Sequence, residues 1–384
     1  MKRGDKKEKG MKNVFLLGGS SFFNDVGSEM LTPLLPFYIT ALGGTGLAIG
    51  LISGLREGLA SFFSLIGGWL SDKIGKRKIF VFLGYLFSAI FKFLISLANS
   101  WQWIVSFIAF ERFGKSRDAP RDAIIANSTK KRGKGFGIQE MMDRFGAIVG
   151  TILVIFLFWK LNLGIKTIIA IAAGISALSF IPLFFVKDKK TKPIHKSFYK
   201  GIKELNPRLK YFIFVSSVFT LANFGLYLFL ILRIQQITGS MVTSLIIYAI
   251  FNLLYAVFSP VFGKLSDKIG RKRVLIFGYV LFFILCIGFI YVSNFLIFSI
   301  LFSVYGLVYA MTQSNQRAFV SDMSGKMKAT AFGFFASVIG LVNIAGGLIA
   351  GILWDVSYST MFAYLTVVSL FSIILLGFVK EKKI

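Results

Sequence analysis

Twelve apolar segments of membrane-spanning length constrain the fold of this chain more than any other feature of its sequence. A helix needs about 20 mostly apolar residues to cross a bilayer. We number as spans 1 to 12 the segments of this kind at residues 14–41, 46–70, 79–98, 103–127, 136–160, 166–186, 211–237, 241–265, 274–292, 295–322, 330–354 and 359–379. Because backbone polar groups must be paired inside a bilayer, the chain is predicted to be an all-α membrane protein.

The composition excludes a soluble fold and most enzyme chemistry. Hydrophobic residues make up 55% of the 384 residues and charged residues only 16%, against about 25% charged in an average soluble domain. Cys286 is the one cysteine and His195 the one histidine. A disulfide framework, a cysteine or histidine metal site and a nucleophile activated by histidine are therefore excluded. We expect no enzyme activity, no cofactor and no metal.

The basic residues predict the orientation of the chain. Of the 44 lysines and arginines, 33 lie in the segments 1–13, 71–78, 128–135, 187–210, 264–273, 323–329 and 380–384. The connections on the opposite side carry only Lys160 and Lys166. Loops rich in Lys and Arg stay in the cytoplasm, so both termini are predicted to be cytoplasmic. The net charge of +27 then reflects topology and contact with anionic lipid headgroups, and no nucleic-acid partner is expected.

The two halves of the chain repeat each other. The segment GWLSDKIGKRK at residues 68–78 matches GKLSDKIGRKR at residues 263–273, with an offset of 195. We therefore predict a six-helix bundle over residues 1–186, a cytoplasmic basic linker over 187–210 and a second six-helix bundle over 211–384.

The repeated loop resembles the signature of the major facilitator superfamily. The pattern GxLSDKxG followed by three basic residues occurs after span 2 and again after span 8. Residues 112–123 of span 4 are similar to a pattern of prokaryotic proton-coupled exporters in that superfamily. In span 5, Gly146 and Gly150 match the glycine motif of its proton antiporters, whereas Thr151 stands where that motif has proline. The resemblance implies twelve helices in two pseudo-symmetric bundles that rock around a central cavity.

Ionisable residues inside the spans concentrate in the first half, which is predicted to handle protons. A charge in mid-span costs at least about 2.5–3.5 kcal/mol and is a functional candidate by default. Asp25 and Glu29 lie one turn apart on span 1, and Lys115 of span 4 matches the depth of Glu29 at ~18 Å from the outer end. With Arg112 and Arg117, these residues form the predicted proton-coupling and cavity set. The alternative is a static ion-pair network between spans 1 and 4.

A second set near the inner ends of the spans is predicted to act as a conformational gate. Its acids and bases lie in the repeated loops and at matching depths on neighbouring spans. The residues assigned to this gate are Asp72, Gly75, Arg77, Arg121, Asp122, Glu140, Asp143, Asp267, Gly270 and Arg317.

Neutral polar residues of the second half are the candidates for substrate contact. These are Asn223, Tyr227, Asn252, Gln313 and Gln316. The alternative for each is a hydrogen bond between helices. Glu57, beside Arg56 in the middle of span 2, is ambiguous.

These features predict a monomeric secondary transporter of a prokaryotic cell membrane. The favoured activity is proton-coupled efflux, by antiport, of a small amphipathic or cationic compound. One alternative is a proton-coupled importer of an organic solute or anion, which the span 4 arginines would bind. Another is a transporter-like sensor without transport.

Overall fold

The fold is all-α, as the apolar spans predict. A computed structural model of the chain describes residues 3–129, 132–187, 205–324 and 328–380. Every regular element within these ranges is helical, with sixteen α-helices and two short 3-10 segments. The helices group into the twelve spans. The predicted linker 187–210 lies largely outside the described residues, as does His195, and the predicted domain boundaries stay a prediction.

The first six spans contain nine helices. Spans 1, 4 and 6 are each made of two helices, and the others of one. The helices are α1 (Arg3–Leu31), α2 (Leu35–Ala41), α3 (Gly46–Ile74), α4 (Arg77–Ser96), α5 (Trp101–Phe113), α6 (Asp118–Ser128), α7 (Arg132–Trp159), α8 (Ile165–Ala177) and α9 (Phe180–Phe185).

The last six spans contain seven helices, since only span 7 is divided. The helices are α10 (Pro207–Ala222), α11 (Tyr227–Thr238), α12 (Met241–Ile269), α13 (Arg271–Tyr291), α14 (Phe295–Met323), α15 (Lys328–Val356) and α16 (Tyr358–Gly377).

Spans 1 and 4 combine charge with a broken backbone. Among the described residues, ten helices or helix pairs are long and apolar enough to cross a membrane, and spans 1 and 4 are not among these ten. In span 1 a 3-10 segment, Thr32–Leu34, separates the two helices and contains Pro33. In span 4 the 3-10 segment Gly114–Arg117 precedes the helix that carries Pro120. Proline lacks the backbone N–H that a continuous helix uses, and both breaks lie beside one.

The chain divides into two compact units. The first unit comprises residues 1–38 and 59–195, and the second comprises residues 39–58 and 196–384. In the first unit, span 2 packs on span 4 through Gly67 and Gly68. A Cβ at Gly67 would lie 1.9 Å from the carbonyl oxygen of Ser116, and one at Gly68 would lie 2.9 Å from the Cβ of Ala119. Only glycine allows this close approach.

The second unit includes the first part of span 2, which packs on span 11. Three span 2 glycines spaced four residues apart, Gly46, Gly50 and Gly54, meet the backbone of span 11. A Cβ at Gly50 would lie 2.0 Å from the carbonyl oxygen of Gly347. Asp355 of span 11 accepts hydrogen bonds from the backbone N–H groups of Gly46 and Leu47, at 2.6 and 3.0 Å. The carboxylate thus caps the N-terminus of α3, where a negative charge is favourable.

Candidate functional site

Two acids on one face of span 1 form the centre of the candidate site in the first unit. Asp25 and Glu29 are both half-buried. A Cβ at Gly146 of span 5 would lie 3.4 Å from the Cβ of Asp25, and one at Gly150 would lie 3.1 Å from the Cβ of Glu29. The glycine pair therefore lets the span 5 backbone pack directly against the helix face that carries both carboxylates.

The Asp25 carboxylate has a neutral neighbour. Its Oδ1 accepts a hydrogen bond from the Asn24 side-chain amide at 3.3 Å. Within the described ranges, no lysine or arginine nitrogen lies within 4.0 Å of this carboxylate.

The basic residues of span 4 pair with acids of the same span. Arg112 forms an ion pair with Glu111, and its Nε donates to Glu111 Oε2 at 2.6 Å. Lys115 Nζ lies 3.7 Å from Asp118 Oδ2, and Arg121 Nη1 lies 3.6 Å from Asp118 Oδ1. These contacts join residues one to three positions apart, so they stabilise charge locally along the helix.

Arg117 lies in the interior of the first unit. Its side chain is 2% exposed. The guanidinium carbon lies 4.4 Å from the centre of the Tyr85 ring, and Nη1 donates to the carbonyl oxygen of Gly114 at 2.8 Å. A Cβ at Gly84 would lie 2.5 Å from the Cβ of Arg117, so the small residue makes room for the buried arginine.

A buried network around Lys92 was not assigned a role from the sequence. Lys92 is 0% exposed, and its Nζ donates to Asn24 Oδ1 at 3.1 Å and to Ser176 Oγ at 3.0 Å. Its Nζ also lies 3.9 Å from Glu111 Oε1, which accepts a 2.7 Å hydrogen bond from Ser88. The sequence signal is the spacing of Ser88 and Lys92, one helical turn apart on span 3.

The predicted gate residues of span 4 contact span 1. Arg121 donates from Nη1 to Ser21 Oγ at 2.8 Å, and this hydroxyl shares a 2.8 Å hydrogen bond with the Tyr85 hydroxyl. Arg121 also lies 3.1 Å from the Asp122 carboxylate, through Nη2 and Oδ1. Arg121 therefore links spans 1 and 4 and, through Ser21, reaches Tyr85 of span 3.

The span 5 acids assigned to the gate have partners on their own helix. Asp143 Oδ1 accepts a hydrogen bond from Gln139 at 2.7 Å. Glu140 forms a 3.0 Å ion pair with Arg144, and both side chains are exposed. The structure thus groups these two acids with span 5 neighbours.

The repeated loops turn the chain at glycines. Gly75 has φ +74° and Gly270 has φ +99°, a left-handed region that other residues rarely adopt. Arg77 follows the first of these turns and is buried at the start of span 3.

The acid of the second repeated loop, Asp267, belongs to a short chain of ion pairs. Asp267 lies 2.8 Å from Arg271, which in turn lies 2.6 Å from Asp322 of span 10. Arg317 is exposed. The side chain of Asp72 lies outside the described residues, so its assignment to the gate stays a prediction.

Two substrate candidates of the second unit form hydrogen bonds between helices. Asn223 of span 7 accepts a short hydrogen bond from the Tyr305 hydroxyl of span 10. Gln316 of span 10 donates to the Tyr279 hydroxyl of span 9 at 3.0 Å. These contacts match the structural alternative of the sequence analysis. The other candidates are the half-buried Asn252 and Gln313, and Tyr227, which donates from its hydroxyl to Glu57 Oε1 at 3.3 Å.

Known sequences match this chain over nearly its whole length. The pattern of the Major Facilitator Superfamily matches residues 17–250 and 212–383. The uncharacterized MFS-type transporter MJ1317 of Methanocaldococcus jannaschii is 46% identical over 378 residues, which cover 96% of this chain and 95% of the relative. The multidrug resistance protein MdtG of Escherichia fergusonii is 24% identical over 384 residues, covering 94% of this chain and 93% of the relative.

Solved structures share the fold at low sequence identity. A mutant of the nucleoside transporter NupG aligns with a TM-score of 0.82 and 16% identity, covering 96% of this chain and 100% of the other. A bacterial homolog of the human lysosomal transporter Spinster aligns with a TM-score of 0.75 and 14% identity, covering 95% of each chain. The chain therefore belongs to the Major Facilitator Superfamily: it is a multi-pass membrane protein and a secondary transporter of a small-molecule substrate, not an enzyme.

Proposed function

We propose that the protein is a proton-coupled antiporter that exports a small amphipathic or cationic compound from the cell. The observation that carries this proposal is the half-buried acid pair on span 1, Asp25 and Glu29. Asp25 has no basic nitrogen within 4.0 Å among the described residues, while Arg112 and Lys115 face acids of their own span. Asp25 is therefore the carboxylate of this pair that we assign to proton exchange.

The coupling follows from the position of the two acids. Two carboxylates one helical turn apart on one helix face place two negative charges close together, and a proton that binds either of them reduces their repulsion. Uptake of a proton by this pair and binding of a cationic substrate are then alternatives, because each adds positive charge to the transporter. Alternating access of the site to the two sides of the membrane converts this competition into antiport.

Two further observations support export across a prokaryotic cell membrane. A 24% identical relative is named a multidrug resistance protein. The concentration of Lys and Arg in alternate connections supports an orientation with both termini in the cytoplasm. In this orientation the basic segments would also contact anionic lipid headgroups, and the transporter would work as a monomer.

The test is transport by the purified chain in liposomes. The probe is radiolabelled tetraphenylphosphonium, with the membrane potential clamped at zero by potassium and valinomycin. Vesicles that are acidic inside are expected to accumulate the cation, because protons leaving the vesicle drive its entry. Asp25→Asn or Glu29→Gln is expected to abolish this accumulation while sparing exchange of labelled for unlabelled cation, since exchange needs no net proton movement.

The conservative variant Asp25→Glu is the matched control and should keep part of the accumulation. Accumulation that requires an alkaline interior would instead identify a symporter. Normal accumulation in both neutral variants would place the coupling site elsewhere.

A further inference from the structure

Glu57, an acid from the first half of the sequence, belongs to the second unit. Glu57 lies on span 2, 11 residues after Gly46 and therefore ~17 Å from the start of that helix. Residues 39–58 belong to the second unit. The Glu57 side chain is exposed, whereas the neighbouring Arg56 is buried. A carboxylate at this depth is costly and is expected to have a function.

Glu57 faces the helices of its unit. It accepts a hydrogen bond from Tyr227 of span 7 at 3.3 Å. The Tyr227 side chain that donates this bond is buried within the second unit. Within the described residues, no lysine or arginine nitrogen lies within 4.0 Å of Glu57. The negative charge is therefore not compensated by an ion pair in the described part of the chain.

A continuous cluster of aromatic rings starts at the same tyrosine. The ring of Tyr227 lies 5.9 Å from that of Tyr248 and 6.3 Å from that of Phe251, measured between ring centres. Phe251 lies 5.5 Å from Tyr309, which lies 5.6 Å from Tyr255. These rings come from spans 7, 8 and 10. Tyr227, Tyr248 and Phe251 are buried, whereas Tyr255 and Tyr309 are only half-buried.

The two ends of this cluster have accessible groups of complementary chemistry. At one end is the exposed Glu57 carboxylate, and at the other are the partly accessible rings of Tyr255 and Tyr309. Ring contacts join the two ends: Tyr227 bonds Glu57, Phe251 lies 6.3 Å from Tyr227, and Tyr309 lies 5.5 Å from Phe251. Aromatic rings attract a cation through their negative faces, by about 0.5–2 kcal/mol each, and the carboxylate adds a full opposite charge.

We propose that Glu57, together with the rings of Tyr227, Tyr255 and Tyr309, binds the positive group of an organic cation. This inference rests on the proposed function for the view that the bound cation is the exported compound. A large cation with spread charge loses little hydration on entering such a site and packs against the rings. Small metal cations need several oxygen ligands, which one carboxylate does not supply.

The test is equilibrium binding to the full-length protein in detergent, without any gradient. The probes are tetraphenylphosphonium and tetraphenylborate, which have nearly the same shape and opposite charge. We expect the cation to bind at least tenfold more tightly than the anion. Glu57→Gln is expected to weaken binding of the cation about tenfold, or ~1.4 kcal/mol. This variant can still accept the Tyr227 hydrogen bond, so folding should be kept.

Matched controls separate the site from general effects. Asp322→Asn removes the same charge from an exposed position at the inner end of span 10, and it should leave binding unchanged. Tyr309→Leu should weaken binding of the cation severalfold. Tyr291→Leu, which removes a ring that is 79% exposed at the end of span 9, should not.

The binding experiment tests the cation site independently of the proposed antiport. Equal binding of the two probes, no binding of the cation, or unchanged binding in Glu57→Gln would overturn the cation site. If Glu57→Gln alone loses binding but the wild type accumulates no cation under a pH gradient, the site stands and proton antiport fails. If the wild type accumulates the cation and Glu57→Gln binds it normally, antiport stands and the site fails.

Discussion

At the scale of single residues, the first unit holds an unequal balance of buried charge. Lys92 and Arg112 both contact Glu111, so two cations share one carboxylate. Lys92, Arg112 and Glu111 are all buried, with exposed fractions of 0%, 6% and 3%. Charges in such an interior are tolerated only when they are paired and hydrogen-bonded. The single acid therefore contributes more to stability than either base.

This balance predicts different effects of removing the acid and the lysine. Glu111→Gln takes the common carboxylate from two buried cations, and we expect a loss of about 3–5 kcal/mol in the free energy of unfolding. Lys92→Met leaves the Glu111–Arg112 pair intact, but the acceptors on Asn24 and Ser176 lose the hydrogen bonds that Lys92 donates. Its expected cost is about 1–3 kcal/mol. Thermal unfolding of the purified protein measures both.

The control for this comparison is Glu140→Gln, which removes an acid from an exposed ion pair with Arg144. A surface pair contributes about 0–1 kcal/mol, so the unfolding temperature should hardly change. A larger loss in Lys92→Met than in Glu111→Gln would contradict the assignment of Glu111 as the shared partner.

At the scale of elements, span 2 and span 11 approach each other through backbone contacts. Gly54 packs on the carbonyl oxygen of Asn343, where a Cβ would lie only 2.6 Å away, and the contact at Gly50 is tighter still. Helices in a bilayer gain no hydrophobic driving force from each other, so they associate through such close packing. Any side chain at these positions separates the two helices.

We therefore expect Gly50→Ala to lower the free energy of unfolding by about 1–3 kcal/mol, the usual cost of overpacking. The added methyl group would meet the backbone of Gly347, which cannot rotate away. The matched control is Gly174→Ala on span 6, because no atom lies within 4 Å of a Cβ at this helical position. There alanine should stabilise by about 0.5–1 kcal/mol. Equal effects of the two substitutions would contradict the packing argument.

At the scale of the whole molecule, the distribution of basic residues predicts the orientation in the membrane. We expect Asn99→Cys and Ser293→Cys to react with an impermeant thiol reagent added outside intact cells. Both positions are exposed and lie in connections that are predicted to be external. Lys76→Cys, exposed in the first repeated loop, should react only after the membrane is opened.

The background for this labelling is Cys286→Ala, because Cys286 is fully buried, and a small apolar residue is tolerated in the interior better than a polar one. External labelling at position 76, or its absence at both 99 and 293, would reverse the predicted orientation.

The sequence by itself determined the spans and the family. Each of these depends on local physics: a run of apolar residues crosses the bilayer, and its backbone hydrogen bonds form within the same helix. Pro33 and Pro120 coincide with the breaks in spans 1 and 4, and the repeated glycines 75 and 270 coincide with the turns, whereas Pro260 lies inside the unbroken helix of span 8. No knowledge of neighbouring helices is needed for the spans or the family.

Only the tertiary structure decided which polar side chains meet. It gave Arg117 an interior position against Tyr85, joined Lys92 to Glu111, and brought Glu57 to Tyr227 in the second unit. The physical reason is that the sequence of a helix shows only which residues share a face. Which face meets which neighbour is set by packing with helices that are distant along the chain. The four-residue spacing of glycines in span 2 is visible in the sequence, but the span 11 backbone that it fits is a property of the folded molecule.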